Sequence, residues 1–197
     1  SRPAGAGKST VARALAARLG FEFLDTGAMY RAVALAGLRQ GVDWERPEEL
    51  ARLAAGLRIE VRDGRTWLNG EDVTQAVRAE AVTAVTRHAA DNTEVRRRLV
   101  ELQRQVAADR DVVTEGRDQG TVAFPEAECK FFLTASPEER ARRRVRDLEK
   151  QGEAVGVAEV LAAQQCRDRE DENRPVGALR RAEDAIDIPT DGLSADE

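Results

Sequence analysis

The stretch Gly5-Ala6-Gly7-Lys8-Ser9-Thr10 runs directly into Ser9 to Leu19, where Val11, Leu15 and Leu19 recur every fourth position with alanines between them. That spacing predicts a helix, and Gly20 ends it. G-x-G-K-[ST] opening a helix supplies the parts of a phosphate cradle, the alternative being a helix start merely loosened by glycine. The glycines let backbone N–H groups converge on a nucleoside triphosphate, a lysine spans its terminal phosphates, and a hydroxyl stands at the magnesium. Arg2, Pro3, Ala4, Gly5, Ala6, Gly7, Lys8, Ser9 and Thr10 are therefore the candidate ATP-binding residues, with Ser9 on Mg²⁺. The full pattern G-x-x-x-x-G-K-[ST] puts a glycine where Arg2 stands, and a strand is expected before the loop. The chain also stops at Leu193-Ser194-Ala195-Asp196-Glu197, which reads as a helix start, so it is expected to be truncated at both ends.

Outward from the loop, Phe21-Glu22-Phe23-Leu24 alternates as a short strand and Asp25-Thr26-Gly27 reads as a turn. Helices are expected over 28–40, 47–55, 79–88 and 94–108. Between them, 57–61 and 66–68 flank the hairpin signal Asp63-Gly64, so a small β insert is expected over about 57–78. Val112-Val113-Thr114 and Cys129 to Leu133 read as buried strands, and 115–120 as a polar turn. Ser136-Pro137-Glu138-Glu139 starts a helix, with a Ser cap and Pro at the first position. A helix over 157–173 and a strand over 185–188 complete the pattern. Strands separated by helices predict an α/β fold with a mostly parallel central sheet, helices on both faces and the small β insert: the three-layer fold of P-loop NTPases.

Composition narrows the class. The chain has 197 residues, 42% hydrophobic and 34% charged, with a net charge of −5. This is globular composition and a poor electrostatic match for nucleic acid. No apolar run reaches membrane-spanning length and no signal peptide is visible, so a cytoplasmic protein with no membrane partner is expected. Cys129 and Cys166 lack paired spacing. Lysine occurs only at Lys8, Lys130 and Lys150, among 31 Lys and Arg residues. His88 lies on an expected helix without a partner motif, and the scattered Trp44, Trp67 and Tyr30 form no stacking platform.

P-loop proteins divide between GTP-hydrolysing switches, motor-type ATPases and small kinases, and the absence of a guanine-reading N-K-x-D and a D-x-x-G switch argues against the first. Small kinases need a cationic cradle for an anionic acceptor and a lid against water. Arg31 follows the first strand's turn, and Arg117-Asp118 follows Val112-Val113-Thr114 at a strand end, where open α/β sheets bind ligands. Arg167, Asp171 and Arg174 fall at i, i+4 and i+7, on one helix face.

With Leu24-Asp25-Thr26-Gly27-Ala28-Met29-Tyr30-Arg31, Gly116-Arg117-Asp118-Gln119-Gly120-Thr121-Val122-Ala123-Phe124-Pro125 and Arg167-Asp168 through Asp171 to Arg174, the chain resembles the bacterial cytidylate kinases over nearly its whole length. The resemblance implies one nucleoside monophosphate kinase domain over 1–197, with a lid over about 138–156, that phosphorylates CMP and dCMP from ATP with Mg²⁺ as a monomer. It implies Arg31, Arg117 and Arg174 on the acceptor phosphate, Arg167 and Asp171 on the sugar, and Asp118, Arg96 and Thr86 on cytosine. Thr26 and Tyr30 complete the acceptor site. Lys8, Arg117 and Asp118, with Arg140 and Arg143 at the lid entrance, are the implied catalytic set. UMP as acceptor and an inactive, nucleotide-binding fragment are the rival readings.

Overall fold

The computed structural model of the chain describes residues 7–150, 152, 154–173 and 177–194, with the side chains of residues 167 and 170–172 outside that description. Its elements run α1 (Lys8–Leu19), β1 (Glu22–Asp25), α2 (Thr26–Gln40), α3 (Pro47–Gly56), β2 (Ile59–Arg62), β3 (Arg65–Leu68), β4 (Glu71–Asp72), α4 (Glu80–Asp91), α5 (Thr93–Ala107), β5 (Val112–Glu115), β6 (Phe131–Thr134), α6 (Pro137–Glu149), α7 (Val157–Glu172) and β7 (Ile186–Pro189). The chain divides into two compact units, one of Arg13–Glu115 and one of Ser1–Ala12 with Gly116–Glu197. No helix among the described residues is long and apolar enough to cross a membrane.

In the unit of Arg13–Glu115, β1 pairs parallel with β5, from Glu22 opposite Val112 to Asp25 opposite Glu115. A parallel pair needs a long crossover, and α2 through α5 supply it. Asp25 ends β1 and caps α2, its Oδ1 accepting from the Ala28 N–H at 2.9 Å. Strand therefore passes into helix with no separate turn at 25–27; such a cap stabilises a helix by about 1 kcal/mol. Helix α2 packs against α3, α4 and α5, and Met29, Ala32, Val33 and Ala36 are buried there with Leu50, Val82, Val95 and Leu99. Gly37 permits that packing, since a Cβ there would lie 2.6 Å from Cη2 of Trp44.

The β insert is an antiparallel meander, β2-β3-β4. Its hairpin turns on Asp63 and Gly64 at φ 52° and 71°, the left-handed pair that a two-residue hairpin requires. Ile59, Val61, Thr66 and Leu68 form its buried face. The Arg39 guanidinium holds the Glu71 carboxylate with two bonds, 2.7 and 2.8 Å, which tie β4 to α2. A 3₁₀ turn over Ala76–Arg78 closes the segment.

In the other unit, β6 pairs parallel with β7, from Phe131 opposite Ile186 to Thr134 opposite Pro189. Both strand pairs outside the insert are thus parallel, as alternating strands and helices require. Ser136 caps α6 by accepting from the Glu139 N–H, while its own N–H and hydroxyl donate to Asp191 beyond β7. Helix α6 packs on α7 through Ala141, Val145, Leu148 and Val160, with Val155 and Leu161 at the margin. The polar turn expected over 115–120 runs into a π-helical turn over Gln119–Ala123.

Candidate active site

The cradle begins at Gly7, whose φ of +78° suits glycine alone, and α1 starts at the next residue. The Val11 N–H donates to the Gly7 carbonyl at 2.9 Å, so the chain winds directly from the loop into helix. Lys8 is half-buried and Ser9 and Thr10 are exposed in the first turn, where N–H groups point off the helix end. Arg2, Pro3, Ala4, Gly5 and Ala6 lie outside the described residues. A Cβ on Gly7 would stand 4.0 Å from Nη1 of Arg143, so that guanidinium lies against the loop's end.

Arg143 is held there from several sides. Its Nε donates to Glu139 Oε1 at 3.0 Å and its Nη1 to the Thr190 hydroxyl at 3.1 Å, while its Nη2 donates to the Thr190 carbonyl. Arg140, expected with Arg143 at the lid entrance, lies three positions earlier on α6. It is 4% exposed, and its Nη1 stands 2.6 Å from Oδ2 of Asp168 on α7, itself 8% exposed. A guanidinium so enclosed joins α6 to α7; it does not face solvent.

Within the unit of Arg13–Glu115, the signature from Asp25 to Arg31 has a physical reading. Asp25 Oδ1, already bonded to Ala28, lies 3.7 Å from Arg31 Nη2. The side chains arch over Gly27, where a Cβ would come within 3.4 Å of Asp25 and 3.6 Å of Arg31. Arg31 thus sits over the N-terminus of α2, and its buried Nε has no hydrogen-bond partner among the described residues. The Asp25 carboxylate meets the cation and the helix N-terminus in part, and the guanidinium has further donors for a second anion. Thr26 is buried, and its hydroxyl donates to the Glu115 carbonyl at 2.7 Å, locking the ends of β1 and β5 together.

Arg96 is 4% exposed, donates from Nη1 to the Ala90 carbonyl at 3.1 Å, and lies 5.7 Å over the Tyr30 ring. The half-buried Thr86 donates its hydroxyl to the Val82 carbonyl at 2.7 Å, which leaves the oxygen's lone pairs as acceptors. This unit therefore holds Arg31 on α2, with Tyr30 and Arg96 stacked beside it in the chain's packing of α2 and α5.

Arg117 and Asp118 belong to the other unit and immediately precede the π-helical turn. The Asp118 carbonyl accepts from the N–H groups of Val122 at 2.8 Å and Ala123 at 3.2 Å, and Asp118 is only 5% exposed. Gln119 packs against Gly116, where a Cβ would meet the Gln119 amide at 2.7 Å. The glycines and small residues of 116–124 therefore serve a tight coil that starts at Arg117 and the buried Asp118. The expected sugar contacts Arg167 and Asp171 lie on α7 with side chains outside the description, and Arg174, expected on the acceptor phosphate, lies outside the described residues.

Two tying residues were invisible to motif reading. Asn92 caps α5 through Oδ1 and donates from Nδ2 to the Pro47 carbonyl at 2.7 Å. Arg98 donates to the carbonyls of Ala54 and Leu57 at the C-terminus of α3. An Asn directly before a helical run was the available signal for the first; no local pattern marks the second.

A helix opening directly after Gly7, parallel strand pairs, and Arg117 just past the end of β5 fit a P-loop phosphotransferase. The family model described as "Cytidylate kinase" matches residues 2–197. A protein named cytidylate kinase from Rhodopirellula baltica is 53% identical over 195 residues, covering 99% of this chain and 85% of its own. One of the same name from Geobacter sulfurreducens is 48% identical over 199 residues, with the same coverage. A bifunctional pantoate ligase/cytidylate kinase from a Synechococcus strain is 48% identical over 202 residues, covering 99% of this chain and 37% of its own. The chain belongs to the cytidylate kinase family.

Proposed function

We propose that the chain transfers the γ-phosphate of ATP to CMP and dCMP, forming CDP and dCDP. The observation that carries the acceptor side is Arg31: a guanidinium over a helix N-terminus, beside a glycine that leaves room, with a buried Nε lacking a partner among the described residues. An acceptor phosphate supplies the anion this arrangement favours. Arg117 is the second clamp in this reading, and Arg174 the third. Asp118 and Arg96 read the base. A carboxylate accepts from the exocyclic amine of cytosine, and uracil offers a carbonyl oxygen at that position, which gives the reading its preference for cytosine over uracil.

The donor lies on the N-terminus of α1, with Lys8 toward the terminal phosphates. The residues fit Mg²⁺ as a metal carried on the triphosphate. Ser9 offers one hydroxyl in the first turn after Gly7, and no group of three or more His, Cys, Asp or Glu suited to a metal is present among the described residues. Magnesium is commonly held this way, by few protein ligands plus phosphates and waters. When bound, it neutralises charge on the β- and γ-phosphate oxygens.

An acceptor phosphate oxygen attacks the γ-phosphorus, the bond to the β–γ bridging oxygen breaks, and ADP leaves. The attacking group is already anionic, so positioning and charge stabilisation suffice without a dedicated base. Lys8 and Arg143 meet the charge on the transferring group. The same reading takes the chain as one kinase domain, with an acceptor-side insert over about 57–78 and a lid over about 138–156. The β2-β3-β4 meander and the α6–α7 pair support those two assignments.

Coupled assays of Lys8→Ala and Arg31→Ala test the division of labour. Lys8→Ala is expected to lower kcat by about 100-fold or more, the scale of losing one charge-stabilising donor. Arg31→Ala is expected to raise the KM for CMP by roughly 10- to 100-fold, the scale of one charged hydrogen-bonding group. An unchanged KM for CMP in Arg31→Ala rejects the acceptor cradle.

A further inference from the structure

Lys130 is one of three lysines in an arginine-rich chain. Its side chain is only 9% exposed, although it leads to an ion pair with the exposed Asp184, 2.6 Å from Nζ to Oδ2. The same Nζ donates to the Pro125 carbonyl, just beyond the π-helical turn. The stem runs beneath Gly120: a Cβ on that glycine would stand 3.2 Å from Lys130 Cδ, 3.5 Å from its Cγ and 3.4 Å from Ala182 Cβ. Lys130 therefore touches the Gly116–Pro125 coil at its middle and at its end. It binds both contacts to the segment leading into β7, and its own carbonyl accepts from the Ile186 N–H at 2.8 Å.

Single π turns are rare and occur mostly at functional sites. The coil's backbone bonds close the turn on the Asp118 and Gln119 carbonyls. Lys130, directly before β6, ties the middle and the end of the coil to the start of that strand. A compact ammonium on a slim stem fits beneath Gly120 and reaches two oxygens, whereas a planar guanidinium is broader and needs a fork of acceptors. The Lys130 hydrogen bond also holds the Asp184 carboxyl below the usual carboxylate range.

We infer that Lys130 is a positioning residue for the acceptor site: with Asp184 it fixes the coil that presents Arg117 and Asp118 to the acceptor nucleotide. This rests on the acceptor reading of Arg117 and Asp118.

The test compares Lys130→Met, Asp184→Ala, the double variant and Arg117→Ala with the unmodified chain. KM for CMP, KM for ATP and kcat are measured, with a thermal melt of each. Lys130→Met and Asp184→Ala are expected to raise the KM for CMP by roughly tenfold, the scale of one charged hydrogen bond, with KM for ATP held within about twofold. The double variant is expected to be no worse than Lys130→Met alone, because both changes remove one interaction. An unchanged KM for CMP, or KM for CMP and ATP rising together, overturns the role. Asp184→Ala decides the matter alone if Lys130→Met does not melt cooperatively. Arg117→Ala separates the two levels. A raised KM there with unaltered Lys130 and Asp184 variants overturns the positioning role only; an unaltered KM in Arg117→Ala overturns the acceptor reading and the positioning role with it.

Discussion

Arg140 and Arg143 lie three positions apart on α6 and end in different environments. Arg143 reaches the end of the phosphate loop, braced by Glu139 and Thr190, whereas Arg140 is enclosed with Asp168 between α6 and α7. Glu139-Arg140-Ala141 followed by three arginines looks uniform as a string, because a run of like residues carries no signal for which one turns inward. That depends on the partner face, and Asp168 is 28 positions away. The separation has an energetic consequence. Removing one member of a buried pair strands the other, so Arg140→Ala is expected to destabilise the chain by about 3–5 kcal/mol. Replacing both members by apolar residues, Arg140→Met with Asp168→Leu, is expected to recover most of that loss. Chemical denaturation of the two variants checks this. An Arg140→Ala variant as stable as the unmodified chain contradicts the latch role.

At the scale of elements, helices and strands were largely legible and their junctions were not. The alternation at Phe21 to Leu24 and the fourfold spacing after Ser9 lead to β1 and α1, and the Ser136-Pro137 start is where α6 begins. Asp25, read as a turn residue, is instead the last residue of a strand and the cap of a helix, since one carboxylate can satisfy both ends of an abrupt junction. The polar string 115–120 hides a π turn because its defining bonds, from Ala123 to the Asp118 carbonyl and from Phe124 to the Gln119 carbonyl, are made by backbone groups that any sequence supplies. Asn92 shows the same limit. Its capping role is local, but its bond to Pro47 crosses 45 positions and fixes α5 against the start of α3. Asn92→Ala removes the cap and the crosslink together and is expected to cost about 1–2 kcal/mol, at the upper end for helix caps. A denaturation midpoint indistinguishable from the unmodified chain contradicts that assignment.

At the scale of the molecule, the family follows from long ordered strings and from matches over nearly the whole chain, while the roles of individual residues rest on local geometry. In the proposed reading Arg31 clamps the acceptor's phosphate while Asp118 and Arg96 read its base, and a cytidine monophosphate is the acceptor that suits both roles. The most direct measurement is a coupled ADP-release assay at fixed ATP and Mg²⁺, with CMP, dCMP, UMP and AMP compared side by side. The account predicts turnover of CMP and dCMP with kcat/KM at least about tenfold above UMP and AMP, the scale of one matched against one mismatched base contact. A chain that melts cooperatively and prefers UMP or AMP, or that turns over none of the four, contradicts it.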